Sequence, residues 1–568
     1  MTASARASGP TGSSPGMAGR RPACSRGLLG AASGVAGLTL VSRVLGFARW
    51  IVQASTVGAG TVAGAYATAN QVPNALYEIV VGGALAATVV PLLAAVAIPS
   101  RSRDVSRIAS GLLGVVLAVL TPLALVLAAL ADPIAALLPA SSGTDPGLQV
   151  DLVAAFLRMF AVQIPLYGIG VVLTGVLQAM GRFAWPAFAP ILSSLVVMST
   201  YAVYGTMTSG SGDQAGAAAL RVLGWGTTAG VAALSLPLLY PVSRLGVRLR
   251  PTLHLDRPVA RRALRLGGAG VWTLIAQQIS TLAVLALARS GGRAGTVAVY
   301  QYVQAVYMLP YAVMAVPVAT VVYPRLAAAF DADSGSDAGG GPNRYPPRAV
   351  ELAATSTALV AAVALAGGGA LMASSAAAER FFALLTDVEG MGVCLTVLAP
   401  ALVGYALVHQ VTRILFAAGR ARPAAHATAL GWVTVAGAST VAVRLMAPDG
   451  GDGRATLVAL AIGLTIGMGV AGAGMLAALA LVVGARAVGP TLRALVVGAP
   501  IALLAGLGAR TVSARAGTEL GSIVIGAVGA VACAGVVMGV CTAADRRLLS
   551  GLRSGDASAG TPSPREGQ

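Results

Sequence analysis

Long apolar runs alternate with short polar loops along the whole chain. Fourteen runs contain few charges, and a helix that crosses a bilayer needs roughly 20 mostly apolar residues. The pattern therefore predicts an all-α polytopic membrane protein with about 14 transmembrane helices. The runs lie at 29–57, 66–98, 107–131, 150–180, 185–206, 218–243, 263–288, 295–324, 349–373, 391–418, 424–446, 455–485, 489–508 and 520–543.

The arginines between these runs predict the orientation of the helices. Loops on the cytoplasmic side of a membrane protein carry an excess of basic residues. Alternate loops here are rich in arginine, with seven between Arg244 and Arg265, whereas the loop at 58–65 has none. We therefore expect a multi-pass plasma-membrane protein with both termini in the cytoplasm, where residues 1–28 and 546–568 form disordered tails.

Two segments recur along the chain. ATVVPLLAA (87–95) matches ATVVYPRLAA (319–328) at an offset of 232, and LTGVLQAMGRFAWP (173–186) resembles VTRILFAAGRARP (411–423) at an offset of 238. Each offset covers six predicted helices, an even number, so the two copies enter the membrane in the same direction. Parallel repeats of this kind often form two lobes with a transport path between them.

The repeat divides the chain into two six-helix lobes and an additional helix pair. Helices 1–6 and 7–12 form the lobes, and helices 13 and 14 follow them. The predicted divisions are an N-lobe at 29–243, a cytoplasmic linker at 244–262, a C-lobe at 263–485 and helices 13–14 at 486–545.

Composition argues against a soluble catalytic domain. Of the 568 residues, 10% are charged, whereas soluble domains carry about 25%. The net charge of +18 comes from residues spread over short loops, so no nucleic-acid-binding patch is predicted. Four cysteines and three histidines show no metal-ligand or disulfide spacing, so we expect no metal and no cofactor. A transporter is therefore favoured over an enzyme.

Three charged residues lie inside the first two predicted helices, where a lipid-facing charge is costly. Arg43 and Arg49 are six residues apart, which places them roughly 120° apart around the helix and about 9 Å apart in depth. Glu78 is at a depth similar to that of Arg49. The residues fit a cationic cavity for an anionic head group, with Glu78 pairing an arginine when the cavity is empty. The alternative is a structural Arg–Glu pair that locks the two helices.

Other polar and small residues complete the candidate site. Glutamines in helices seven and eight either line a cavity or form interhelical hydrogen bonds, and Arg413 in helix ten could face the same cavity. Arginine binds phosphate oxygens in a bidentate manner, which favours a phosphate-bearing substrate. The candidate substrate-binding residues are Arg43, Arg49, Glu78, Ser42, Asn74, Tyr77, Gln278, Gln304 and Arg413, and the hinge or packing residues are Gly46, Pro73, Gly82 and Gly83.

The first 100 residues carry the most specific motifs. SRVLGFAR (42–49) is followed by ANQVPNALYEIVVGGALAATVVPLL (69–93). Together with the repeated L-x6-GR-x3-P segments, this pattern resembles the MurJ/MviN family of lipid II flippases, in a form similar to its actinobacterial branch. The family belongs to the multidrug/oligosaccharidyl-lipid/polysaccharide exporter superfamily. The resemblance extends over the chain through the helix count, the repeat and the C-terminal pair.

The resemblance implies a V-shaped central cavity and a groove for a polyprenyl tail along helices 13 and 14. It implies alternating access that moves undecaprenyl-pyrophosphoryl disaccharide-pentapeptide from the inner to the outer leaflet. Arg43 and Arg49 match the two first-helix arginines of the family. Three charges often found in the family are absent, because Gly64, Tyr77 and Ala305 occupy their positions. The exact substrate and the ion coupling therefore stay open.

Several functions remain as alternatives. The favoured partner is lipid II or a related polyprenyl-pyrophosphate glycolipid, together with membrane lipids and the cell-wall synthesis machinery. An exporter of another polyprenyl-linked saccharide or of drugs is a second hypothesis, although a carrier of cationic drugs would favour unpaired acids over arginines. A non-transporting cell-wall scaffold is a third.

Overall fold

The computed structural model describes residues 24–79, 102–209, 215–253, 257–331 and 345–546, and these residues are almost entirely helical. Among the described residues, the β-pairing of the backbone is limited to an isolated bridge between Ser142 and Arg293. The helices are α1 (Cys24–Thr56), α2 (Thr61–Tyr77), α3 (Ser102–Ala129), α4 (Ala131–Leu137), α5 (Pro146–Ala161), α6 (Gln163–Ala179), α7 (Ala184–Thr208), α8 (Ala217–Ser235), α9 (Leu239–Arg244), α10 (Arg257–Gly291), α11 (Thr296–Pro310), α12 (Val316–Asp331), α13 (Pro347–Ala383), α14 (Met391–Leu398), α15 (Ala401–Ala417), α16 (Ala421–Met446), α17 (Gly453–Val482), α18 (Gly489–Ala514) and α19 (Glu519–Ala544).

The described part of the chain contains nine helices that are long and apolar enough to cross a membrane, or up to eleven if each bent pair counts as one span. The protein is therefore a multi-pass membrane protein. The predicted count of fourteen is not confirmed. One reason is that the second apolar run continues from α2 into residues 80–101, outside the described residues. A second reason is that spans are broken, as between α14 and α15, which meet at 45°.

The chain folds into two lobes with the same helix packing. In the segment predicted as the N-lobe, α1 packs along α7, α7 along α8, and α3 along α6. In the segment predicted as the C-lobe, α10 packs along α16, α16 along α17, and α13 along α15. The three pairs follow the same order in both lobes, so the predicted fold class of two parallel lobes is confirmed.

One repeated sequence segment forms the same turn in both lobes. Gly181 ends the turn between α6 and α7 with a φ of 72°, and Gly419 does so between α15 and α16 with a φ of 68°. The next residue donates its backbone N–H to a carbonyl five residues back, Arg182 to Leu177 and Arg420 to Leu415. Glycine is favoured at such a left-handed position because it has no Cβ. The other repeated segment begins at residue 87, outside the described residues.

The last two helices lie outside the repeat. Both α18 and α19 pack along α13 and against each other. Cys533 and Cys541 on α19 are free thiols that are buried within this contact. Much of the remaining surface of the pair is apolar, with Leu504, Leu520 and Val531 strongly exposed. Such a surface suits lipid contact.

Candidate substrate cavity

A cavity of about 800 Å³ lies between the two lobes. We call it the central cavity. Its wall comes mainly from α1 and α2 of the N-lobe and α10 and α11 of the C-lobe, and α6, α15, α16 and α17 contribute single side chains or pairs. Both α1 and α2 carry polar residues at helical spacing within an otherwise apolar helix, and this polar stripe faces the cavity.

The charged residues that line the central cavity are Arg43, Arg49 and Glu78. Arg43 and Glu78 are exposed, and Arg49 is partly buried, with its guanidinium 5.7 Å from the Trp50 ring centroid. Among the described residues, no ion pair joins Glu78 to either arginine. The expected pairing in the empty cavity is therefore not observed. Charges that remain accessible to water gain little from pairing, which accounts for the separation.

Aromatic and amide groups shape the N-lobe side of the cavity. Tyr167 on α6 donates a hydrogen bond to Asn74 Oδ1 at 3.1 Å, and its ring lies 4.3 Å from the ring of Tyr77. Asn74 and Tyr77 were predicted from sequence, whereas Tyr167 was not. A single tyrosine in the apolar helix α6 has no pattern that separates it from a core residue.

The C-lobe side of the cavity carries amides instead of charges. Gln277, Gln278, Gln301 and Gln304 all line it. Two of them also form hydrogen bonds: Gln301 Nε2 donates across the lobes to the Ala67 carbonyl at 3.3 Å, and Gln304 Nε2 donates within its own helix to the Tyr300 hydroxyl at 2.7 Å. All four amides therefore line the cavity, and the alternative of an interhelical hydrogen bond also applies to Gln301.

The remaining predicted residues do not all reach the cavity. Gly46 lines it, and a Cβ at Gly46 would meet no atom within 4 Å, so this glycine makes no close packing contact. Ser42 and Pro73 are not among the lining residues, and Pro73 is buried inside α2. Gly82 and Gly83 lie outside the described residues.

Arg413, on α15, is not among the residues that line the cavity. On the same helix, the Tyr405 ring lies 4.9 Å from the ring of Tyr311. Tyr405 lines the cavity and was missed by the sequence reasoning.

One end of the cavity is closed by contacts between the lobes, and we call it the sealed end. Tyr302 of α11 donates a hydrogen bond to the Gly58 carbonyl at 2.6 Å. The Ser142 backbone exchanges hydrogen bonds with the Gly292 carbonyl and the Ala294 N–H, at 3.3 Å and 3.0 Å. The α10–α11 turn at Gly295, with a φ of 92°, packs on the α1–α2 loop so tightly that no side chain fits there. The sealed end therefore consists of backbone contacts as well as side chains.

A family model described as "Lipid II flippase MurJ" matches residues 53–525, which is most of the chain. The chain belongs to the MurJ family. Similar curated family members include the probable lipid II flippase MurJ of Rhizobium tropici, 29% identical over 303 residues, which are 52% of this chain and 54% of that protein. The counterpart in Rhizobium meliloti (strain 1021) is 28% identical, with 52% of this chain and 54% of that protein covered. The match thus spans about half the length of these relatives.

Solved structures show the same fold as this MurJ family member. A structure titled "Lipid II flippase MurJ, inward closed conformation" aligns with a TM-score of 0.66 and 16% identity, covering 88% of this chain and 98% of that chain. An inward-facing multidrug resistance transporter of the MATE family aligns with a TM-score of 0.57 and 17% identity, covering 78% of this chain and 94% of that one. At this identity the likeness establishes the fold and leaves the cargo to be argued from the cavity.

Proposed function

We propose that the protein is a flippase that moves a polyprenyl-pyrophosphate-linked peptidoglycan precursor, lipid II, from the inner to the outer leaflet of the plasma membrane. Membership of the MurJ family and the arginines of the central cavity support this proposal. Transport proceeds by alternating access: the lobes rock about the bound head group, and no covalent step is required. Both termini face the cytoplasm, so the sealed end, which contains the α1–α2 loop, faces outward.

The observation that carries the proposal is the pair of arginines in the central cavity. Arg43 and Arg49 face the same cavity as Glu78, so the charged lining residues sum to one positive charge. A guanidinium presents paired donors that match phosphate oxygens, and a pyrophosphate offers enough oxygens for both arginines. Substrate can drive the rocking motion only through its different affinities for the two states.

The size and the polarity of the cavity support a saccharide-phosphate over a lone ion. Its volume of about 800 Å³ is in the upper part of the range for small-molecule sites. The amides opposite the arginines can donate to and accept from sugar hydroxyls or peptide groups. Aromatic rings of Trp50, Tyr167 and Tyr405 add flat apolar surfaces to the cavity lining.

Export of another polyprenyl-linked saccharide is the second candidate function, because the arginines would bind its pyrophosphate equally well. Export of cationic drugs is disfavoured by the positive balance of the charged lining residues. A cell-wall scaffold without transport activity would need no such cavity. The cargo therefore has to be identified by a leaflet-resolved measurement.

The test is depletion of the protein in cells that lack any paralogue. An impermeant probe that modifies only outer-leaflet lipid II measures translocation, and total extracted lipid II serves as the reference. We expect depletion to lower the outer-leaflet fraction while total lipid II accumulates, and re-expression to restore the fraction. An unchanged fraction would reject lipid II as the cargo, and a parallel accumulation of a different polyprenyl-linked saccharide would favour the second candidate.

A further inference from the structure

Arg289, near the end of α10, is a buried arginine that bonds across the lobe boundary. Its residue exposure is 3%, and it directly follows Ala288, which lines the central cavity. Its position therefore places a cation just beyond the cavity wall, inside the sealed end. The sequence does not single out Arg289, because a basic residue at a predicted helix end is usually solvated.

The guanidinium of Arg289 is bonded to three separate segments of the N-lobe. Its Nε donates to the Pro139 carbonyl at 2.6 Å, its Nη1 donates to Thr68 Oγ1 at 3.2 Å, and its Nη2 donates to Gln149 Oε1 at 3.2 Å. Thr68 is on α2, Pro139 follows α4, and Gln149 is on α5. A single C-lobe side chain therefore ties together three N-lobe elements.

All three acceptors are neutral. Among the described residues, none of the ion pairs includes Arg289. A buried charge without a counter-ion is costly unless hydrogen bonds compensate for the lost water. The bonds exist only while the lobes are in contact, and separation of the lobes would return the cation to water. Hydration of the guanidinium would then offset part of the free energy lost with the three hydrogen bonds. A contact that must open in every transport cycle needs such a limited cost of opening.

We propose that Arg289 is the latch of the sealed end, a positioning residue that holds the two lobes together through Thr68, Gln149 and Pro139 and releases them on opening. The proposal rests on the alternating access proposed above but not on the identity of the cargo. The latch differs from Tyr302 and the Ser142 backbone contacts because it alone among these contacts buries a full charge.

The experiment measures opening of the sealed end without using the substrate. A reporter cysteine replaces Ala288, which is 1% exposed, in a chain whose four native cysteines are replaced by alanine. An impermeant maleimide is added to intact cells, and the labelling rate reports how often the sealed end opens. A reporter at Gly517, in the exposed loop between α18 and α19, verifies that this end of the bundle faces the reagent.

The test variants weaken the latch from each side. Arg289→Met removes the guanidinium, and Thr68→Val removes one acceptor with little change in shape. A hydrogen bond to a charged group contributes about 1.5–3 kcal/mol, and each 1.4 kcal/mol is tenfold, so we expect Thr68→Val to raise the labelling rate about tenfold. Arg289→Met should raise it at least as much.

Thr357→Val is the matched control. Thr357 is fully buried and donates to the carbonyl four residues back at 2.7 Å, as Thr68 does, but it lies within the C-lobe. We expect its labelling rate to equal that of the parent. In the double variant, Thr68→Val should add nothing to Arg289→Met, because Thr68 contributes to the latch only through Arg289.

Three results would overturn the latch: unchanged labelling in both single variants, equal increases in the Thr357→Val control, or fully additive effects in the double variant. Each outcome is independent of lipid II measurements. A failed flippase assay together with raised labelling would reject the cargo and retain the latch, whereas the reverse pattern would retain the cargo and reject the latch.

Discussion

The two sides of the central cavity come from lobes with the same topology but carry different chemistry. The N-lobe side, formed by α1 and α2, presents Arg43, Arg49 and Glu78, whereas the C-lobe side, formed by α10 and α11, presents four glutamines. The helix packing that positions these side chains is repeated in the two lobes. The repeat therefore preserves the scaffold, whereas the chemistry of the cavity lining differs between the copies.

The difference between the charged side and the amide side of the cavity affects how a head group is held while the lobes rock. Charge-assisted hydrogen bonds are roughly twice as strong as neutral ones, so we expect an anionic head group to be held mainly by the N-lobe. Amides on the C-lobe can exchange one neutral partner for another at low cost while the lobes move. The asymmetry predicts that the phosphate stays with α1 during rocking, and that changes on the two sides of the cavity differ in size.

Loss of both arginines is expected to have the largest effect. Arg43→Ala with Arg49→Ala removes the positive groups that line the cavity, so we expect no growth when the variant replaces the flippase of a depleted strain. Each single change should lower transport at least about tenfold, since a hydrogen bond to a charged group contributes about 1.5–3 kcal/mol. Transport by the Arg43→Lys and Arg49→Lys variants should lie between that of the parent and that of the alanine variants, because lysine keeps the charge but not the bidentate geometry.

Arg158→Ala is the control for this experiment. Arg158 pairs with Asp132 outside the cavity, and both side chains are largely exposed, so its loss should leave growth and membrane expression near those of the parent. Normal growth with Arg43 and Arg49 both replaced, at equal protein level, would refute the cationic cavity.

Changes on the C-lobe side should be smaller. A neutral hydrogen bond contributes about 0.5–1.5 kcal/mol, so Gln278→Ala and Gln304→Ala should each lower transport by roughly two- to tenfold. Gln278→Glu should be more harmful than Gln278→Ala, because it places a negative charge opposite the bound phosphate. The measurement is the outer-leaflet fraction of lipid II at matched expression. Equal losses from the glutamine and arginine changes would remove the proposed asymmetry.

The sequence predicted much of the site because charges inside apolar helices are costly and therefore conspicuous. Arg43, Arg49 and Glu78 stood out for this reason, and all three line the cavity. Tyr167 and Tyr405 were missed because a tyrosine is common in helix interiors, and its approach to the cavity depends on contacts between distant helices. Whether these residues bind substrate stays a prediction.

The repeat was also predictable from the sequence, but the breaks in the helices were not. Matching segments at two similar offsets, 232 and 238, identified the two lobes, because a duplicated turn needs glycine at the same left-handed position. The bend between α14 and α15 falls at Pro400, just before α15, inside an unbroken apolar run. A hydropathy profile shows which segments are apolar enough to lie in the membrane, but it does not show where a helix axis bends. Helix count is therefore less predictable than lobe number.

The smallest expected effect comes from substitution of the glycine in the turn that is repeated in the two lobes. Gly181→Ala and Gly419→Ala each place a Cβ at a positive φ where no neighbouring atom lies within 4 Å, so the cost is backbone strain alone. That strain is about 1–2 kcal/mol, and it should be nearly equal in the two lobes. Thermal unfolding of the purified protein in detergent measures it, with Gly517→Ala, in an exposed loop without positive φ, as control. Transport should be unchanged, since neither turn lines the cavity; a large loss from one glycine alone would mean that the repeated turns serve different roles.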